Sequence, residues 1–265
     1  MKKFIIFIFG TLSYLMFLGV FIYAIGFIGN FGGISNSIDS IPGKPLSHAL
    51  MINLGLLSFF AIQHSGMARK GFKNWMTKYI PETAERSTYV LWSNIAMILI
   101  FMFWEPMGGT VWSFSNEFAK SAILSIYMFG WAIVLISTFL INHFHLFGLQ
   151  QVCYQLVNKP IPESNFHTPA FYKWVRHPLY VGWIVVFWSA PTMTVAHLLF
   201  AMMCTAYILI AIRLEEKDLV DEFGDTYIEY KKKVPMLIPS KTVYGKKLTA
   251  AELSQLAIIE RSGDL

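Results

Sequence analysis

The side chains in this sequence that could do acid–base or charge chemistry fall into four short clusters of an otherwise apolar chain: Gln63-His64-Ser65, Asn142-His143-Phe144-His145, Arg176-His177, and Arg213 with Glu215-Glu216. A neutral imidazole can take a proton from a weak acid near pH 7, and a guanidinium can hold an anion. A carboxylate can receive an ammonium, a hydroxyl or a second guanidinium. His143 and His145 are two residues apart, so on one continuous helix they diverge by about 200°. A His-x-His metal or haem site would therefore require local unwinding, and no metal is expected. Cys153 and Cys204 give neither a disulfide framework nor a metal spacing.

The elements that must position these clusters are membrane helices. Apolar residues make up 55% of 265 positions and charged residues 14%, with a mean hydropathy of +0.51, outside the mix of a soluble domain. Crossing a hydrocarbon core takes roughly 20 helical residues, and Phe4 to Ile28, Leu46 to Ile62, Tyr89 to Trp104 and Ala122 to Ile141 supply four such runs. A fifth, Leu179 to Ile212, is interrupted by Pro191, whose ring removes a backbone donor and obstructs the preceding turn. It reads as a tight helical hairpin. The expected fold is an all-α polytopic transmembrane bundle of five to six spans with a cytoplasmic C-terminal segment. The N-terminal Met-Lys-Lys and its long apolar run read as a retained anchor, since the run exceeds the ~7–15 residues of a signal-peptide core.

Threaded alternately, the spans leave 19 of 21 basic residues on one side, with Lys44 and Lys120 opposite. The positive-inside rule then makes both termini cytoplasmic, in a bacterial inner membrane. Topology accounts for the net charge of +5, and no nucleic-acid motif is present. All four polar clusters reach the same cytoplasmic level, where ionisable groups at membrane depth mark a site. Glu215-Glu216 faces Arg176 across the hairpin, an arrangement that invites an interhelical charge pair. Thr249-Ala-Ala-Glu252 has the form of a capping box and predicts a short helix within 240–265.

Four further pieces occur in order: Arg176-His-Pro-Leu-Tyr180-Val-Gly182, Glu215-Glu216, Phe223-Gly-Asp-Thr-Tyr227-Ile-Glu-Tyr230, and Val234-Pro-Met-Leu-Ile-Pro239. This set resembles the C-terminal half of the isoprenylcysteine carboxyl methyltransferase and phospholipid methyltransferase superfamily of integral membrane enzymes. In the N-terminal half, Gln63-His-Ser-Gly-Met-Ala-Arg69, Glu85-Arg-Ser-Thr-Tyr-Val-Leu91, Ser137 to His143 and Leu146-Phe-Gly-Leu-Gln150 resemble the branch containing methanethiol S-methyltransferases.

The resemblance implies one domain: residues 1–142 carry the acceptor side, 143–239 the cofactor-binding hairpin and tail, and 240–265 a terminal helix. It implies S-adenosyl-L-methionine as methyl donor, a small thiol, methanethiol, as acceptor, and contact with membrane lipid. His177, Pro178, Tyr180 and Gly182 would form the cofactor cradle, with Glu216, Tyr230 and Gln150 near its polar groups. Gly182 would allow close approach of the ligand. His64, Arg69, Asn142 and His143 would serve the acceptor, with Arg176 at the junction. A small thiol has a pKa at or above ~8.5, so a base is needed, and His64 and His143 are the two candidates; Arg176 would stabilise the thiolate. A prenylcysteine carboxylate or lipid amine acceptor stays open, as does a membrane accessory protein of nitrogen-oxide respiration.

Overall fold

The computed structural model describes residues 1–31, 33–34, 36–162 and 166–240; the expected capping box at Thr249 and its helix lie outside them. The chain is helical, and five helices are long and apolar enough to cross a bilayer: α1 (Lys2–Gly29), α2 (Leu46–Ala68), α4 (Glu82–Phe103), α5 (Glu117–Leu140) and α9 (Val195–Phe223). Short helices α3 (Lys70–Met76), α6 (His143–Leu146), α7 (Leu149–Leu156) and α10 (Asp225–Lys233) lie between or after them.

Local signals set the ends. α1 stops where Asn30 adopts a left-handed conformation (φ 58°) and returns its N–H to the Gly26 carbonyl. α4 starts after Pro81 with Glu82 and Glu85 in its first turn, where acidic groups suit the exposed amides. Asn116 caps α5 by accepting from the Ala119 amide, and Thr194 caps α9 by accepting from His197.

The fifth apolar run is an asymmetric hairpin. α8 (Pro178–Trp188) begins with proline at its first position, where the missing N–H costs nothing. It has 11 residues, about 16 Å at 1.5 Å per residue, half of a ~30 Å hydrocarbon core. Among the described residues, the bundle therefore has five helices of crossing length and one of half length. Beyond Trp188 the chain is extended, and β2 (Thr192–Thr194) pairs antiparallel with β1 (Thr110–Ser113), a two-stranded sheet that apolar periodicity does not foresee. The Trp112 indole N–H donates to the Ala190 carbonyl at 3.0 Å, securing the break.

The buried core gathers Phe27, Ile100, Phe101, Trp104, Tyr127, Trp131, Val186, Phe187 and Phe200 from α1, α4, α5, α8 and α9. At the β-sheet end it is closed by a polar knot. Asp39 accepts from Thr194, from Asn30 and from His197 Nδ1 (2.9 Å), while His197 Nε2 donates to the Phe187 carbonyl (3.1 Å), which Pro191 leaves without a helical partner. Burial would raise the Asp39 carboxyl, but the bonds and charge from His197, Thr194 and Asn30 outweigh it and hold the group below its ordinary value.

Candidate active site

At the opposite end, the hairpin and the tail meet on one carboxylate. Arg176 and His177 sit just before α8, held by backbone bonds from the Arg176 amide to the Pro235 carbonyl (2.8 Å) and from the His177 amide to the Met236 carbonyl (3.2 Å). Glu216 of α9 receives Arg176 Nε (2.7 Å) and His177 Nε2 (3.1 Å) on Oε1, and Lys231 Nζ (2.8 Å) on Oε2. The charge pair expected across the hairpin is thus formed. Arg176 is further committed through Nη1 to the Lys231 and Val234 carbonyls. These bonds fasten α8, α9, α10 and the Val234 to Pro239 segment together.

The neighbouring Glu215 is differently placed. Its Oε2 is buried with no hydrogen-bond partner among the described residues, 3.8 Å from His177 Nδ1. The Tyr180 hydroxyl bonds the same carboxylate, leaving Oε2 as its unpartnered oxygen. An acceptor oxygen without a donor, beside an imidazole and a tyrosine, fits the ammonium or ribose hydroxyls of S-adenosylmethionine. The sequence reading chose Glu216 for that purpose, but Glu216 is saturated by the protein. Tyr230 closes this side by donating to the Tyr172 carbonyl at 2.6 Å. Burial raises both the Tyr230 and Tyr172 hydroxyls, so each stays protonated. Phe166 packs edge-on against Tyr227 and Tyr230.

A second polar group lies two helical turns away along α9. His64 of α2 meets Tyr89 and Ser93 of α4: Nε2 is 2.8 Å from the Tyr89 hydroxyl and Nδ1 is 3.1 Å from the Ser93 hydroxyl. Phe60 stacks on the imidazole, and the next residue, Ser65, bonds the Tyr207 hydroxyl at 2.9 Å. Arg69 ties the end of α2 to α9 through Asp218 (2.9 Å) and its own helix through the Ser65 carbonyl. Tyr207 to Glu215 is eight residues, about 12 Å of helix.

The remaining expected residues are elsewhere. His143 is buried between α1 and α5, stacked on Phe139 (ring centroids 4.3 Å apart), with Tyr14 at Nε2 (2.9 Å) and Thr138 at Nδ1 (2.8 Å). Burial lowers its pKa, so the ring is neutral, but both nitrogens are occupied and its shell is aromatic. Asn142, in a left-handed conformation at φ 84°, caps α6 and bonds Gln150. Pro178 starts α8. Gly182 does not face a ligand: a Cβ there would lie 2.8 Å from Val134 Cγ2 and 2.9 Å from the Gly130 carbonyl, so its bareness lets α8 press against α5. Sequence reasoning did not single out Tyr89, Ser93 or Tyr207, because hydroxyls inside apolar helices carry no signal of their own. The i, i+4 spacing of Tyr89 and Ser93 was the available clue.

Residues 127–221 match the isoprenylcysteine carboxyl methyltransferase (ICMT) family, covering most of α5 through α9. A methanethiol S-methyltransferase of Crocosphaera subtropica is 53% identical over 240 residues, 91% of this chain and 92% of that protein. The chain belongs to the methanethiol S-methyltransferase family. Another relative of that name, from Mycobacterium tuberculosis, is 45% identical over 90% of this chain and 98% of its own length. Nurim of Bos taurus is more distant, at 29% identity over 64% and 68%. No solved structure matches the chain. Family membership and five membrane-length helices make this an integral membrane methyltransferase.

Proposed function

We propose that the protein transfers the methyl group of S-adenosylmethionine to methanethiol, giving dimethyl sulfide and S-adenosylhomocysteine, at the cytoplasmic face of a bacterial inner membrane. The observation that carries this reading is the pairing of two unlike polar groups along one face of α9: the partnerless Glu215 oxygen beside His177, and the His64–Tyr89–Ser93 cluster joined to Tyr207. The first suits a cationic, hydroxyl-rich donor molecule. The second offers a proton acceptor in apolar surroundings, which a small thiol requires.

His177 and Tyr180 orient the donor molecule with Glu215, while Glu216 and Arg176 hold the walls. His64 is the base, favoured over His143 because it is joined through Ser65 to the helix that carries the cofactor end. Attack of a thiolate on a sulfonium neutralises charge along the reaction path, so surroundings poor in water favour it. This reading makes the chain a single domain, with residues before and after position 142 both contributing to the site.

Methyl-labelled S-adenosylmethionine and methanethiol, incubated with purified protein, are expected to give labelled dimethyl sulfide in the headspace. The signal should be lost in Glu215→Ala through weakened binding of S-adenosylmethionine. Wild-type protein that binds S-adenosylmethionine and forms no dimethyl sulfide would remove the thiol from this reading.

A further inference from the structure

Both nitrogens of the His64 ring are already occupied. The Tyr89 hydroxyl stands 2.8 Å from Nε2 and 3.1 Å from Nδ1, and the Ser93 hydroxyl stands 3.1 Å from Nδ1. A neutral imidazole has one donor and one acceptor nitrogen. With Ser93 accepting from Nδ1–H, the free lone pair is on Nε2, the ring nitrogen nearer the Tyr89 hydroxyl. A thiol approaching His64 therefore meets no bare ring nitrogen. It meets the oxygen of Tyr89, the hydroxyl nearest the ring.

We propose that Tyr89 is the group that touches the acceptor and takes its proton, passing its own proton to His64. This rests on the thiol-methylating reading above. The thiol S–H bond breaks and its proton goes to Tyr89 Oη as the phenolic proton moves to His64 Nε2. The electron pair left on sulfur forms the new carbon–sulfur bond to the methyl group, and the pair of the broken sulfonium bond returns to the donor's sulfur. Two neutral thioethers and an imidazolium result, and His64 then loses the proton to solvent. Ser93, which touches only the ring, is a positioning residue that fixes the tautomer. Arg86 holds its guanidinium over the Tyr89 ring, 5.3 Å from its centroid.

The relay predicts that acidity of the acceptor decides how much Tyr89 matters. In Tyr89→Phe, turnover of methanethiol should fall roughly 100-fold, a usual contribution of positioned proton transfer. Turnover of the more acidic 2,2,2-trifluoroethanethiol should fall less than about tenfold, because that thiol ionises unaided. KM for S-adenosylmethionine should stay within about twofold. Ser93→Ala should show the same dependence on the thiol at smaller size, and serves if Tyr89→Phe proves unstable. Equal losses for the two thiols, or no loss for either, would overturn the relay. Wild-type protein that methylates neither thiol would instead overturn the reading beneath it.

Discussion

Adjacent carboxylates on one turn of α9 have opposite duties. Glu216 carries three cationic or imidazole partners, whereas Glu215 keeps a buried oxygen without one. Glu216→Gln strands Arg176, whose side chain is only 11% exposed, and breaking such a pair from one side should destabilise the fold by about 3 kcal/mol. Glu215→Gln should leave unfolding in detergent nearly unchanged and raise the Kd for S-adenosylmethionine by tenfold or more, read by titration calorimetry. His143 supplies a pH test. Its folded pKa is lowered by burial, so the folded state binds fewer protons than the unfolded chain near pH 6.5. The stability it lends is present above about pH 6.5 and lost as pH falls below that. His143→Gln should flatten part of this slope in thermal unfolding between pH 8 and pH 5; His145, lowered first by burial and then by Arg86, retains the rest.

The sequence made the clusters of His64, Arg176-His177 and Glu215-Glu216 visible because such groups are rare in apolar helices. It could not show which of them the protein consumes internally. Arg176 and Glu216 look as reactive in the sequence as His64 and Glu215, and only the tail's carbonyls and Lys231 reveal that they are spoken for. At the scale of elements, four of the five long helices were legible as single apolar runs, and α9 as part of the hairpin run. Missed were the backbone pairing of β1 with β2 and the Asp39 knot, whose bonds to Thr194 and His197 join residues 155 and 158 apart through single polar side chains. Gly182 is the clearest reassignment. Gly130→Ala and Gly182→Ala each put a methyl into the α5–α8 contact, with nearest approaches of 2.9 and 2.8 Å. Such overpacking costs about 1–3 kcal/mol, and both variants should weaken S-adenosylmethionine binding by moving His177. Were Gly182 a ligand contact, Gly130→Ala would be harmless in the same titration.

For the whole molecule, the distribution of basic residues predicts sidedness. Lys73 belongs on the cytoplasmic face and Lys120 on the other. In a variant lacking Cys153 and Cys204, a cysteine replacing Lys120 should react with an impermeant maleimide added to intact cells. A cysteine replacing Lys73 should react only after the cells are opened; the reverse pattern would invert the site. The half-length helix α8 also bears on how the protein is made. An apolar segment of 11 residues is too short to settle across a bilayer by itself, so α8 must wait at the insertion machinery until α9 has been synthesised. The two helices then enter as a unit, bringing His177 to Glu216 as they do. The His177–Glu216 contact is thus assembled in one late step of biogenesis, and a ribosome stalled before α9 would leave a chain of four spans with α8 still outside the hydrocarbon.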